Sequence, residues 1–428
     1  MRLHLFRSSL LAGAVASLAV SGAASGAAAA VSADAVFGTY ADVALAGYED
    51  SLKTARALRE AVDALAAAPS PETLAAARKA WLAARVPYQQ TEAYRFGNAL
   101  VDDWEGKVNA WPLDEGLIDY VDASYGTESD ENDYYVVNVI ANPTLTVGGE
   151  AIDATEITPE LLASLHEIGG VEANVATGYH AVEFLLWGQD LNGTGPGAGS
   201  RPHTDFDAAN CTGGNCDRRV AYLKAAADLL IADLEEMVGA WGKDGEARKT
   251  VTEGGEEAGL ATILTGLGSL SYGELAGERM KLGLLLNDPE EEHDCFSDNT
   301  HNSHYYDVVG IANVWRGAYA RVDGSKVEGP SLAALVREKD EAAAAELDGK
   351  IEATLAAFAA LKQRAETVEA YDQMIGEGNA EGNAVVQAAI DALVSQTRSI
   401  ERVIAALDLS GIELEGSDSL DNPDAVFE

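Results

Sequence analysis

The sequence predicts an all-α fold made of two helical-bundle domains related by duplication, with long irregular loops and one small β-hairpin. Aromatic residues are only 7% of the 428 residues and alanine is abundant, and this composition favours helices over sheets. Apolar residues also recur at steps of three and four positions through several long segments, which is the pattern of a helix buried on one face. A chain of this length is sufficient for two or three domains.

The first half of the chain carries two predicted helices. An apolar stripe at helical spacing defines the first, and it consists of Leu45, Tyr48, Leu52, Ala55, Val62 and Leu65. Ser70 and Pro71 predict the N-cap and first position of the second helix, which Pro87 is expected to bend or end. Between Arg95 and Tyr120 the periodicity lapses, and we expect an irregular functional segment there.

Later segments complete the predicted set of elements. Residues 143–157 are typical of a small hairpin, Thr158 and Pro159 begin a helix, and residues 178–188 form the next helix. Two apolar stripes follow, one at Leu223, Leu230, Leu234, Met237 and Trp241, and one at Val386, Ile390, Leu393, Ile400, Ile404 and Leu407. A glycine-flanked, glutamate-containing helix in each half, at 178–188 and 273–280, suggests the duplication.

These elements define the predicted domain organisation. It consists of a signal peptide at residues 1–30, an N-terminal bundle at 31–200, a linker and disulfide loop at 201–217, a C-terminal bundle at 218–409 and an acidic tail at 410–428. In the linker, Cys211 and Cys216 bracket a short glycine-rich loop, and in an oxidising compartment we expect them to pair. Cys295 is left over, either as a free thiol or as a weak metal ligand.

The N-terminus and the charge indicate where the protein works. Arg2 and Arg7 precede an apolar run and a stretch of small residues, which is typical of a secretory leader. No later apolar run is long enough to span a bilayer, so we expect an exported protein of the periplasm or cell envelope without a transmembrane segment. Removal of both arginines leaves 27 basic and 70 acidic residues and a net charge of −43, which repels nucleic acid.

The strongest chemical signal is the pair formed by His180 and Glu183 in an otherwise apolar segment. Positions i and i+3 of a helix share a face, so the two side chains converge as two ligands of one metal ion must. A hydrogen-bonded histidine–glutamate pair in a core is the structural alternative, and spacing alone does not separate the two. Since only one His-x-x-Glu is present, a mononuclear site is favoured over a dinuclear one.

The segment upstream of this pair offers further ligands. Glu92, Asp114 and Glu115 are the predicted carboxylate supplements. Arg95 is expected to steer or pair a carboxylate, and Trp111 and Gly178 are expected beside the ligands. Histidine and carboxylate ligands together suit iron, zinc or manganese, so the predicted cofactor is a metal ion, iron first and zinc second.

A second cluster competes with the first. His293, His301 and His304 lie among acids and could hold a metal ion, although such residues are also ordinary in polar loops. Any one of the three could also supply the third ligand that a zinc peptidase needs beside His180 and Glu183. The sequence does not identify which histidine that is, nor does it identify a general base.

Several blocks of the sequence resemble the imelysin family, in its iron-regulated protein A branch. The blocks run from Arg85 to Gly97, Glu105 to Glu115, Gly178 to Gly188, Gly273 to Met280 and Asp298 to His301, and they cover nearly all of the mature chain in the family's order. The family's Gly-x-His-x-x-Glu signature matches Gly178, His180 and Glu183. The resemblance implies a duplicated all-α fold, a site near the domain junction, an envelope location and a role in iron supply.

Three hypotheses about function follow. The preferred one is a periplasmic protein of iron acquisition that binds a metal ion or a small iron-containing ligand and serves an inner-membrane iron transporter. The rival is a zinc metallopeptidase, since the imelysin family takes its name from an insulin-cleaving peptidase. It is less favoured because neither a third zinc ligand nor a base is identified. The third is a structural His180–Glu183 hydrogen bond in a protein that binds a larger ligand.

Overall fold

The computed structural model describes residues 30–129 and 132–427. The predicted signal peptide at residues 1–30 lies outside the described residues except for Ala30. The described residues are 65% helical and contain two small antiparallel strand pairs, which confirms the predicted all-α fold. The described residues from Val31 onward form one compact unit. Its division into two duplicated domains stays a prediction.

The longest helices build the scaffold, and short ones connect them. The α-helices are α1 (Ala33–Ala67), α2 (Pro71–Gln89), α3 (Ala99–Asn109), α4 (Glu115–Ile118), α5 (Pro159–Leu165), α6 (Gly178–Trp187), α7 (Cys216–Trp241), α8 (Glu246–Thr252), α9 (Glu256–Ser269), α10 (Leu282–Leu286), α11 (Thr300–Arg316), α12 (Leu332–Lys339), α13 (Glu341–Thr367), α14 (Tyr371–Ile375), α15 (Ala380–Ala406) and α16 (Asp418–Asp421). A wider π-helical stretch (Leu270–Lys281) joins α9 to α10. Within the described ranges, no helix combines the length and the apolar character needed to cross a bilayer.

Both strand pairs are short hairpins. β1 (Thr144–Val147) pairs with β2 (Glu150–Asp153), which confirms the hairpin predicted at residues 143–157. The second pair, β3 (Ala318–Ala320) with β4 (Lys326–Glu328), was not predicted from the sequence. Each of its strands has three residues, too few for alternation of apolar and polar side chains to be recognised.

The predicted start and end of α2 are confirmed. Ser70 caps α2 by accepting a hydrogen bond from the backbone N–H of Thr73, and Pro71 takes the first helical position. Pro87 lies in the last turn of α2, two residues before the helix ends. α1 packs against α2 and α7 over long faces, because its apolar stripe is continuous through 35 residues.

The structure corrects the prediction of an irregular segment between Arg95 and Tyr120. Residues 99–109 of this segment form α3, which buries Val101, Trp104 and Val108 at helical spacing, and residues 115–118 form α4. The short stripe escaped recognition because acidic residues and glycine surround it in the sequence.

The π-helical stretch supports the C-terminal tail. The tail expected at residues 410–428 contains the short helix α16. Its Ser417 lies so close to Gly277 that a side chain at that glycine would approach Ser417 Cβ to 2.3 Å. Gly273 likewise allows the backbone of Glu415 to approach. The glycines of the 273–280 helix therefore permit close backbone packing, as small residues do at helix interfaces.

Candidate metal centre

The candidate centre begins with α6, a helix whose ten residues are all buried. It starts at Gly178, where φ is +77°, a left-handed conformation that L-residues adopt at a cost. A Cβ at this position would lie 2.4 Å from the carbonyl oxygen of Val108 in α3. Glycine is therefore required for α6 to begin in contact with the C-terminal end of α3. This contact fixes the position of α6 along its own axis.

Replacing Gly178 by alanine is expected to destabilise the protein by about 2–5 kcal/mol, because backbone strain and overpacking add. The matched control is Gly106→Ala in α3, where a Cβ meets no atom within 4 Å. This control should be neutral or stabilising by about 0.4–1 kcal/mol. Urea unfolding of both variants tests the expectation, and equal midpoints would contradict it.

His180 and Glu183 contact each other on the buried face of α6. His180 Nδ1 lies 3.0 Å from Glu183 Oε2, and both side chains are at most 1% exposed. The other oxygen of Glu183, Oε1, accepts hydrogen bonds from Ser297 N (3.0 Å) and Ser297 Oγ (2.6 Å). His180 Nε2 is buried and has no hydrogen-bond partner. One ring nitrogen is thus held by the glutamate while the other remains unbonded.

Burial shifts the pKa values of both groups in the direction that favours their neutral forms. Burial, reinforced by Arg85, lowers the pKa of His180 to about 3, so the imidazole is neutral at physiological pH. Burial and the nearby Asp294 raise the pKa of Glu183 well above its ordinary value. A neutral imidazole is the form that binds a metal ion. A cation bound here would also stabilise the ionised form of the glutamate.

His293 and Asp294 meet His180 from the loop that precedes α11. His180, His293 and Asp294 each offer one potential ligand atom, and these three atoms lie within 4.8 Å of one another. The two imidazole rings are nearly perpendicular, with centroids 4.7 Å apart, and Asp294 Oδ1 lies 4.0 Å from His180 Nδ1. All three side chains are buried. The structure therefore joins the two sequence clusters that had competed.

Arg85 supplies the positive charge beside these groups. From α2, its guanidinium donates to Asp294 Oδ1 (2.8 Å) and to Asn109 Oδ1 (2.6 Å), and it lies 3.2 Å from His293 Nδ1. Burial raises the pKa of Asp294, but Arg85 outweighs it and holds that pKa well below its ordinary value. Burial and Arg279 lower the pKa of His293. At neutral pH the centre thus presents two neutral imidazoles and one ionised carboxylate.

This donor set fits a transition-metal ion. Two imidazoles and a carboxylate are the combination used by mononuclear iron and zinc sites. Nε2 of His180 is buried and has no hydrogen-bond partner, so its lone pair is available to a metal ion. Asp294 Oδ2 already accepts from Asn299 and Ser303, so a bound ion would share Oδ1 of Asp294 with Arg85.

A cavity of about 430 Å³ reaches the centre at His293. Trp111 lies beside this histidine, with ring centroids 5.7 Å apart. The other charged residues that line the cavity are Arg95, Glu105, Glu274, Glu278, Arg279 and Glu291. The four carboxylates outnumber the two guanidiniums, so the cavity has an excess of negative charge that attracts cations.

The structure places the predicted carboxylate supplements away from the three donors. Glu92 binds Arg279, with Oε2 2.7 Å from Nη2. Asp114 accepts a hydrogen bond from Asn132, and Glu115 lies 3.5 Å from the amide of Gln189. Asp114 and Glu115 line a separate cavity of about 280 Å³.

The other predicted residues have partners of their own. Arg95 binds Asp102 at 2.7 Å and Glu274 at 3.2 Å. His301 and His304 lie on α11 outside the three-donor group, and the ring centroid of His304 is 6.5 Å from that of His293. Elsewhere, Cys211 and Cys216 form a disulfide bond, and Cys295 is a free thiol.

Sequence reasoning missed three residues of the centre. Asp294 is one of the unnamed acids around the second histidine cluster, Arg85 was named only as the start of a block of family resemblance, and Ser297 was not considered. Periodicity could not find them, because Asp294 and Ser297 belong to a loop. The available signal was composition, since His293 and Asp294 are adjacent and are the residue types that bind metals.

Comparison with known proteins identifies the family. The family model described as imelysin, a peptidase family, matches residues 44–400. The chain belongs to the imelysin family. Iron-regulated protein A of Synechococcus elongatus is 29% identical over 116 residues, a match that spans 27% of this chain and 33% of that relative.

A solved structure gives the same fold. The structure of an iron-regulated protein A precursor from Parabacteroides distasonis aligns with a TM-score of 0.60 and 20% sequence identity. The alignment covers 87% of this chain and 94% of that chain. This likeness concerns the fold, and the predicted membership of the imelysin family is confirmed by the family match.

Proposed function

We propose that this imelysin-family protein binds one transition-metal ion, iron in its native setting, through His180, His293 and Asp294. The observation that carries the proposal is the convergence of two neutral imidazoles and one ionised carboxylate within 4.8 Å in a buried position. Zinc, which accepts the same ligands, is expected to substitute in vitro. The names of the two iron-regulated relatives support iron as the native ion.

Glu183 positions His180 in this proposal. A histidine that binds a metal ion usually donates its other ring N–H to a carboxylate, which fixes the orientation of the ring. Glu183 Oε2 lies 3.0 Å from His180 Nδ1, and the two Ser297 hydrogen bonds hold the carboxylate in place. The sequence had predicted Glu183 as a direct ligand, and the following experiment separates the two roles.

The Glu183→Gln variant is expected to bind Zn²⁺ about 10- to 100-fold more weakly than the wild type, because the imidazole loses its carboxylate partner. Calorimetric titration of metal-free protein with Zn²⁺, and anaerobically with Fe²⁺, measures the change. Glu160→Gln, at an exposed glutamate of α5, is the matched control and should bind normally. Complete loss of binding would make Glu183 a ligand, and unchanged affinity would remove it from the centre.

The proposed setting is iron acquisition outside the cytoplasm. The leader-like residues 1–30 and the acidic composition support export and the gathering of cations. An inner-membrane iron transporter is the proposed recipient of the ion. Metal analysis of the protein purified from the native envelope tests this setting. Iron at about one ion per chain supports it, and protein isolated without transition metal contradicts it.

One observation favours the metallopeptidase as a second candidate. Glu105 lines the same cavity as His293, and burial raises its pKa to about 7, the range suited to a general base. The test is cleavage of an unfolded protein by zinc-loaded enzyme. Cleavage that is sensitive to chelators and lost in Glu105→Gln would establish the peptidase, and no turnover on a broad peptide library would leave binding as the function.

A further inference from the structure

A smaller cavity, separate from the two described above, lies beside α14 and is lined mainly by acids. Its walls are Asp190, Pro289, Glu290, Glu292, Cys295, Phe296 and Asp372. The volume is about 10 Å³, which is room for about one particle the size of a water molecule. An organic ligand does not fit such a space, whereas a single dehydrated ion does.

The four carboxylates at this cavity have no cationic partner. Among the described residues, no Lys, Arg or His nitrogen lies within 4 Å of Asp190, Glu290, Glu292 or Asp372, although 29 such pairs are formed elsewhere. The neighbouring charges are themselves carboxylates, since Glu290 faces Glu115 and Asp190. Desolvation, with these like charges, raises the pKa of Glu290, which is an exposed residue, to about 7, and burial raises that of Asp372 to about 6.

Glu292 gives an independent indication of a ligand. Its side chain is 1% exposed, and Oε2 accepts a hydrogen bond from Thr300 Oγ1 at 2.8 Å. The other oxygen, Oε1, is buried without any hydrogen-bond partner. Asp372 is 2% exposed and lies in the first turn of α14, where the backbone N–H groups of Asp372 and Gln373 approach its carboxylate without forming an aligned hydrogen bond. Buried carboxylate oxygens without partners are costly, and a bound cation removes that cost.

We propose that Asp190, Glu290, Glu292 and Asp372 form a second cation site, selective for a hard divalent ion of which Ca²⁺ is the best match. All of its charged donors are carboxylate oxygens, which suit Ca²⁺ and Mg²⁺ rather than zinc or ferrous iron. Calcium is favoured over magnesium because it tolerates irregular geometry and several carboxylates, whereas Mg²⁺ keeps its own water shell. The volume admits one ion but no water shell.

This site is distinct from the histidine centre, although the two are neighbours. Glu292 directly precedes His293 in the chain, and Thr300 Oγ1 donates to Glu292 Oε2 while accepting from the backbone N–H of Asp294. The second site does not rest on the proposed function, because it shares no ligand with His180, His293 and Asp294.

The experiment uses the His180→Ala/His293→Ala protein, stripped of metal and titrated calorimetrically with Ca²⁺. One Ca²⁺ per chain is expected. Adding Glu292→Gln/Asp372→Asn should abolish binding or weaken it at least tenfold. The charge-matched control adds Glu377→Gln/Asp424→Asn at two exposed acids and should bind Ca²⁺ unchanged. No binding in the parent protein, or unchanged binding without Glu292 and Asp372, would overturn the proposal.

Two further measurements keep the result interpretable. Thermal unfolding in chelator should show the Glu292→Gln/Asp372→Asn protein at least as stable as its parent, because two like charges are gone. If it fails to fold, the single variant Asp190→Asn at the partly exposed rim provides the same affinity test. Zn²⁺ titration of Glu292→Gln/Asp372→Asn alone should match the wild type. Failure of the histidine centre would therefore be seen separately from failure of the calcium site.

Discussion

Replacing His180 and His293 together by alanine is expected to abolish tight binding of Zn²⁺ and Fe²⁺. Two of the three donors within 4.8 Å are removed, and Asp294 alone is left with Arg85 as its partner. Loss of a residue that only supports a ligand already costs about 10- to 100-fold in affinity. Loss of two donors should therefore lower the affinity by more than about 100-fold, measured by calorimetry on metal-free protein.

His301→Ala/His304→Ala is the matched control, since it also removes two largely buried imidazoles of the same region. It should retain binding, because neither residue belongs to the three-donor group. The reverse outcome, with binding lost in the control and kept without His180 and His293, would transfer the site to the second cluster. Thermal unfolding in chelator shows whether each variant is folded before its affinity is compared.

The sequence predicted the fold well where the signals are local. The caps at Ser70 and Thr158 and the apolar stripe of α1 depend on residues a few positions apart, so spacing alone reveals them. The irregular segment was mispredicted because α3 has a stripe of only three buried apolar residues. The π-helical conformation of residues 270–281 could not be predicted either, because no amino-acid composition distinguishes a π-helix from an α-helix.

Prediction of the candidate site from the sequence was also limited to residues that lie close together in the chain. His180 and Glu183 are one helical turn apart, so their meeting follows from helix geometry. Asp294 lies 114 residues after His180, and Arg85 lies 209 residues before Asp294. Their convergence depends on how α2, α6 and the loop before α11 pack together. Spacing carries no information at such separations, which is why the predicted supplements Glu92, Asp114 and Glu115 lie elsewhere.

A separate group of buried ion pairs surrounds Arg279, which lines the same cavity as His293. Arg279 of the π-helical stretch donates to Glu92 at 2.7 Å and to Glu274 at 2.7 Å, and it lies 3.4 Å from Asp307 of α11. Arg279, Glu92 and Asp307 are each at most 2% exposed. One arginine thus compensates the charge of several carboxylates from different parts of the chain. Its removal therefore leaves more than one buried carboxylate without a positive partner.

Arg279→Met should destabilise the protein by about 3–5 kcal/mol, because it leaves Glu92 and Asp307 buried without a positive charge. Arg56→Met is the control, since its ion pair with Glu235 is more than half exposed and contributes at most about 1 kcal/mol. Urea unfolding measures both variants.

Two further comparisons separate lost charge compensation from lost packing volume. Adding Glu92→Gln to Arg279→Met should recover part of the stability, because one uncompensated carboxylate is removed. The deficit of the single variant should also shrink between about pH 8 and pH 5. Burial already raises the pKa of Asp307 above its ordinary value and Arg279 opposes that rise, so without Arg279 this carboxyl takes up a proton as the pH falls and loses the charge that burial penalises. A deficit that stays constant with pH and is not relieved by Glu92→Gln would mean that Arg279 stabilises the fold by packing alone.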